Sequence, residues 1–110
     1  MADTAFSIKQ NSQFPPIRAA LLDAFGNAVP LSGTRVFLRL KRRGITLPAM
    51  VFEATVVDYV NSIVSYSWAD GDTAMVGDYD VEWLVLYPDG KKSIYPSNTY
   101  NRVLIVRSLA

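Results

Sequence analysis

The chain has 110 residues, half of them apolar or aromatic and 19% charged, with 11 basic against 10 acidic side chains for a net charge of +1. That composition suits one globular domain with a single core; a charge so near zero draws it to neither nucleic acid nor an acidic membrane, and no apolar run reaches the roughly 20 residues that span a bilayer. Cysteine and histidine are both absent, which excludes a disulfide framework, the Ser-His-Asp and Cys-His nucleophile arrangements and the usual zinc ligand sets, so neither an enzyme nor a cofactor protein is expected.

Residues 1–16 read as an N-terminal arm. "MADTAFSIKQ" lacks the basic and then apolar layout of a secretory leader, and the arm closes on the apolar, proline-rich Phe14-Pro15-Pro16. From residue 17 to 110 the pattern is that of a single β-sandwich domain. "IRAALL" (17–22) leads to a tight turn at Gly26-Asn27. A helix over "IRAALLDAF" has suitable residues, but the flanking Pro15-Pro16 and Gly26-Asn27 fit a strand and hairpin equally well and every neighbour is a strand, so a strand is expected.

After the "LSGT" turn, "RVFLRLK" (35–41) sets Val36, Leu38 and Leu40 on one face. "MVFEATVV" (50–57) alternates Phe52, Ala54 and Val56 against Glu53 and Thr55, and "IVSYSW" (63–68) alternates Val64, Tyr66 and Trp68 against two serines. "DTAM" (72–75) offers at most one short helical turn, with Asp70 or Asp72 as its cap. Then come "DYDVEWLVLY" (78–87), "KKSIY" (91–95) after a Pro88-Asp89-Gly90 turn, and "RVLIVR" (102–107). About seven short strands rich in β-branched and aromatic residues predict an all-β, immunoglobulin-like antiparallel β-sandwich. Its core aromatics are Tyr66, Trp68, Tyr79 and Trp83. Tyr79 follows Gly77 by two positions just before a strand, which is the placement of a tyrosine corner.

These segments, "LLDAFGNAVPLSGTRVFLRLK", "VSYSWADGDTAMVGDYDVEWLVLYPDGKKSIYP" and "YNRVLIV", together resemble the immunoglobulin-like domain of tailed-phage structural proteins. The similarity is to the N-terminal domain of baseplate upper proteins and to related minor structural proteins. It rests on Asp23, Gly26, Leu31, Gly33, Val36, Tyr66, Trp68, Asp72, Thr73, Ala74, Gly77, Tyr79, Asp89, Gly90, Lys91, Tyr95 and Pro96, and covers about residues 17–106. The resemblance implies a virion component, made in the host cytoplasm, that docks to other virion proteins and carries out no chemistry. Baseplate upper proteins carry further domains after this one, so the expected role is that of a head decoration protein, a fibre base or a small tail or baseplate subunit.

Other residues bear on competing functions. Asp70, Asp72, Asp78 and Asp80 supply hard oxygen ligands of the kind calcium takes, or a turn with a cap; the sequence leaves the two open. Glu53 and Glu82 are the only glutamates available for a glycosidase pair. Arg35, Phe37, Arg39 and the Lys41-Arg42-Arg43 run form either a phosphate-contacting strip or a solvated strand face, and the near-zero net charge favours the latter. A carbohydrate-binding module, with aromatic side chains as its platform, is the alternative function.

The strand over 78–87 raises one further point. With Tyr79, Val81, Trp83, Val85 and Tyr87 facing inward, the outward positions begin polar at Asp80 and Glu82 and turn apolar at Leu84 and Leu86. Phe37 and Val57 are outward by the same alternation. Several apolar side chains on one open sheet face make a patch that soluble monomers avoid. A neighbouring subunit, or the chain's own arm folded across the sheet, would cover it, and a homo-oligomer is the expectation. The interface residues on this reading are Phe14, Pro15, Pro16, Phe37, Leu84 and Leu86.

Overall fold

The computed structural model describes residues 5–96 and 100–109, and among them there are eight β-strands and no helix. In chain order the strands are β1 (Ala5–Lys9), β2 (Ile17–Ala20), β3 (Arg35–Arg42), β4 (Met50–Asp58), β5 (Ile63–Tyr66), β6 (Gly77–Leu86), β7 (Lys92–Pro96) and β8 (Arg102–Val106). The protein is all-β, as its sequence predicts. The strands lie side by side in the order β1-β8-β6-β3-β4-β5-β2, with β7 paired to β6 beyond the end of β8.

The longest strand, β6, organises this path. Its inward positions Tyr79, Val81, Trp83 and Val85 are all buried, because a period of two puts these apolar and aromatic side chains together on the one face that the core takes. One flank of β6 pairs with β3, whose Val36, Leu38 and Leu40 are likewise buried. Its other flank pairs first with β8 and then with β7. β4 carries the path onward: Met50–Ala54 pair with β3, Thr55–Asp58 pair with β5, and the register shifts between Val56 and Asp58. A shift of that kind bends a strand and increases its twist. The path thereby curls until its two ends share one core, with Phe6 and Ile8 from β1 packed in the same cluster as Ile17 and Ala19 from β2.

The turns follow from their residues. The Asp23 carboxylate accepts hydrogen bonds from the Phe25 and Asn27 amides, and Gly26 supplies the left-handed φ of +83° that a side chain disfavours. No helical turn forms over 72–75; the chain makes tight turns over 70–73, closed by Asp72 N–H to Ala69 O and Ala74 N–H to Gly71 O. The Asp72 carboxylate takes the Ala69 amide and the Tyr66 hydroxyl, so it holds the preceding chain and does not start a helix.

The tyrosine corner is present. The Tyr79 hydroxyl donates to the Met75 carbonyl at 2.7 Å, tying the start of β6 to the loop before it. A Cβ on Gly77 would lie 3.3 Å from Tyr79 Cε1 and 2.8 Å from Arg42 Nε. The arginine head can swing aside, whereas the hydrogen-bonded ring would have to shift by a few tenths of an ångström, which favours a glycine two residues before this tyrosine.

Two expectations are corrected. The arm expected over 1–16 contains strand β1, which pairs in parallel with β8 from Ala5 opposite Arg102 to Lys9 opposite Val106; residues 1–4 of that arm lie outside the described residues. Its signal was weak because "AFSIK" offers only two apolar alternations, and its partner strand comes from the other end of the chain. Tyr66 sits at the margin of the core, half-buried, whereas Trp68, Tyr79 and Trp83 are buried within it.

Candidate interaction surface

The register places the outward side chains of the central strands in rows. One row runs Ile94 of β7, Leu84 of β6, Phe37 of β3 and Glu53 of β4. The next, toward the end of β6, holds Lys92, Leu86 and Arg35; the one on the other side holds Glu82, Arg39 and Val51. Phe37, Leu84 and Leu86 therefore meet on one face, half-buried, beside the more exposed Ile94 (52%) and Val51 (54%). Sequence alternation identifies the first three. Ile94 and Val51 join them only through pairings with strands distant in sequence.

Ion pairs frame this apolar centre. Arg35 makes two hydrogen bonds to Glu53, at 3.0 and 2.8 Å, and its guanidinium carbon stands 5.1 Å from the centre of the Phe37 ring. Those hydrogen bonds are the main cause holding the Glu53 carboxyl below its ordinary value. Arg39 pairs with Glu82 at 3.2 Å. Both glutamates are thus bound by arginine on opposite flanks of β3, an arrangement in which neither faces the other across a cleft as a glycosidase pair requires. A cleft of about 220 Å³ at the charged end of the face is lined by Arg39, Lys41, Ala49, Asp80, Val81 and Glu82.

The Phe14-Pro15-Pro16 segment lies elsewhere. Residues 10–15 cross from β1 to the 67–76 loop and are laced to it: Gln10 Nε2 donates to Ala74 O, Asn11 N–H to Thr73 O, Thr73 Oγ1 to Ser12 O and Trp68 Nε1 to Pro15 O. Pro16 lines a groove of about 380 Å³ with Arg18, Glu53, Thr55, Val57, Ser65, Tyr66 and Ser67, over β2, β5 and the second half of β4. Phe14 is 80% exposed on its own loop. The segment does not fold across Leu84 and Leu86, so covering of that face by the chain's own arm is ruled out for residues 5–16.

The four aspartates do not converge. Asp78 receives two hydrogen bonds from Arg102 at 2.9 and 3.0 Å, Asp80 pairs with Arg43 at 2.6 Å, and Asp72 is engaged within its turn. Among the described residues no group of three or more acidic side chains is placed to hold a metal ion. The ring contacts gather Phe6, Phe52, Tyr66, Trp68 and Tyr100, which are buried or half-buried. The exposed rings Phe14, Phe25 and Tyr59 stand on three separate loops, an arrangement unlike a sugar-binding platform.

Tyr66 has a measurable electrostatic signature. Burial, reinforced by its hydrogen bond to the Asp72 carboxylate and by that group's charge, pushes the phenol up to about 12. An unfolded tyrosine titrates near 10, so the folded chain holds this proton more tightly. The stability it adds is complete below about pH 10 and is lost as pH rises through about 12. In denaturant titrations at stepped pH, Tyr66→Phe is expected to flatten the fall of stability between these values. Burial likewise raises Tyr79, and a hydrogen bond with Tyr87 raises Tyr95, so part of the fall remains. Identical declines in wild type and variant would refute the assignment.

No family model matches the chain, and no curated protein resembles it at a significant level.

Proposed function

We propose that this protein is a non-enzymatic docking module, an immunoglobulin-like β-sandwich acting as a structural component of a tailed-phage virion through its β7-β6-β3-β4 face. The single observation carrying the docking reading is the continuous apolar row Ile94–Leu84–Phe37, with Leu86 beside it, on a face that the described residues leave uncovered. An apolar strip framed by charges is the usual anatomy of a protein–protein contact. The immunoglobulin-like reading draws support from the Tyr79 corner, from β6 lying between β3 and β8, and from β2 pairing with β5. The virion assignment rests on the resemblance over residues 17–106, and a head decoration protein, a fibre base or a small tail or baseplate subunit all fit it.

Leu84→Lys tests the docking reading. On the isolated chain a half-buried surface position tolerates lysine at a cost of about 1 kcal/mol, because the aliphatic stem still covers its neighbours. In a packed contact the ammonium is desolvated without a partner, which costs several kcal/mol. The expected result is an unchanged β-sheet circular dichroism spectrum together with loss of self-association or of incorporation into particles. If the variant docks as wild type does, this face is not the contact.

A further inference from the structure

Resting on that docking reading, we infer that the occupant of the face is a second copy of this chain, packed face to face about a two-fold axis that runs parallel to the strands between β3 and β6. The cross-strand register points to this symmetry. Along β6 the outward positions Asp80 and Glu82 are acidic and Leu84 and Leu86 apolar; along β3 they are Arg35, Phe37, Arg39 and Lys41. Across the pair, Lys41 lies opposite Asp80, Arg39 opposite Glu82, Phe37 opposite Leu84 and Arg35 opposite Leu86.

A strand-parallel two-fold places each residue of β3 over its own cross-strand neighbour in β6 of the second copy. Basic side chains then meet acidic ones in two rows, and Phe37 meets Leu84 in the next. Arg35, the last of the four, lies over Leu86 of the second copy while its guanidinium stays on Phe37 and Glu53. A two-fold running across the strands would instead lay β3 on β3 and β6 on β6. That arrangement sets Arg35, Arg39 and Lys41 against a second basic column, with a like-charge cost. The face is thus self-complementary for one symmetry and self-repelling for the other, and an isologous contact requires such self-complementarity.

Lys41 adds to the case. It is exposed and makes no ion pair with a described residue, whereas Arg35, Arg39 and Arg43 each hold an acid of their own chain. In the two-fold it gains Asp80 of the second copy. Sheets packed face to face stay aligned to within about 30°, so the central rows keep their partners. The four strands, of 5, 10, 8 and 9 residues and so about eight on average, lie about 4.8 Å apart with a rise of about 3.3 Å per residue and make a footprint of roughly 500 Å². A pair would bury about 1,000 Å² in all, at the threshold for a specific interface. The dimer is therefore weak in free solution and strengthened where copies are held close together, as on a particle.

A charge exchange tests the symmetry. Lys41→Glu sets a new carboxylate against Asp80 of the second copy, and Asp80→Lys sets a new ammonium against Lys41. In sedimentation of the full chain, wild type is expected to self-associate with rising concentration, and each variant to associate at least tenfold more weakly with its β-sheet spectrum retained. An equimolar mixture of the two, one of them dye-labelled, is expected to regain association as a one-to-one heterodimer. In that pair the introduced glutamate of one variant meets the introduced lysine of the other, and the remaining Asp80 meets the remaining Lys41. Wild type that stays monomeric at millimolar concentration overturns the inference, as do variants that self-associate like wild type or a mixture that does not associate. Leu84→Lys separates the two readings. If it still abolishes particle binding while wild type is monomeric, the docking face stands and only its occupant is a different protein.

Discussion

Trp83→Ala is expected to cost about 3–5 kcal/mol, a large share of the roughly 5–15 kcal/mol available to a domain of this size. Trp83 is fully buried at the middle of β6, between the β3 and β7 pairings. Truncation leaves a cavity that these paired strands cannot collapse into. Trp83→Phe should behave differently. The indole Nε1 is buried with no hydrogen-bond acceptor among the described residues, and a desolvated, unpaired donor costs about 1–3 kcal/mol. Phenylalanine removes that donor while losing part of the ring volume. The two effects oppose each other, and a net cost within about 1.5 kcal/mol is expected. Trp68→Phe is the contrast, because its Nε1 donates to Pro15 O at 3.1 Å and the substitution strands that carbonyl. Urea denaturation of the three variants decides the matter. A Trp83→Phe loss as large as that of Trp83→Ala would show that the unpaired N–H carries no penalty.

The second large effect lies in β1. Phe6→Ala is expected to cost about 3 kcal/mol, although a residue of a loose arm would cost less than about 0.5 kcal/mol. Phe6 is 7% exposed, pairs in register with Val103 and meets the rings of Trp68 and Tyr100 at centroid distances of 6.1 and 5.3 Å. Ile8 beside it is also buried, opposite Ile105. Removing residues 1–9 should therefore unfold the protein or leave it aggregating, because the inward face of β8 loses its cover and its edge is left unpaired. Thermal denaturation of Phe6→Ala and of the truncated chain measures both. A melting temperature unchanged in Phe6→Ala would return this segment to the status of an arm.

Much of the fold is legible residue by residue. The buried positions of β3 and β6 follow from a side-chain period of two, and turns fall where Gly26-Asn27 and Asp89-Gly90 stand, because side-chain period and backbone freedom are local properties. The same alternation marks Phe37, Leu84 and Leu86 as outward and apolar. Composition alone shows that the chain has no histidine and no cysteine.

Other features depend on which strands become neighbours. β1 has too short an alternating pattern to stand out, and it is a strand only because β8, from the far end of the chain, offers an edge. The four aspartates look like one cluster in sequence. In the fold, Asp78 goes to Arg102, Asp80 to Arg43 and Asp72 to its own turn, since pairing of β6 with β3 and β8 brings arginines to it. The Phe14-Pro15-Pro16 segment reads as an apolar arm able to fold across the sheet, yet hydrogen bonds to the 67–76 loop hold it away from the β6 face.

The sequence by itself determined the all-β class, most of the strands, the inward aromatics and the outward apolar half of β6, because each is set by residue type at a spacing of two. Only the tertiary structure decided that Ile94, Leu84 and Phe37 form one row, and that Lys41 and Arg39 lie level with Asp80 and Glu82. Cross-strand register is a long-range property, fixed when many inward side chains find one common packing, and no local spacing encodes it.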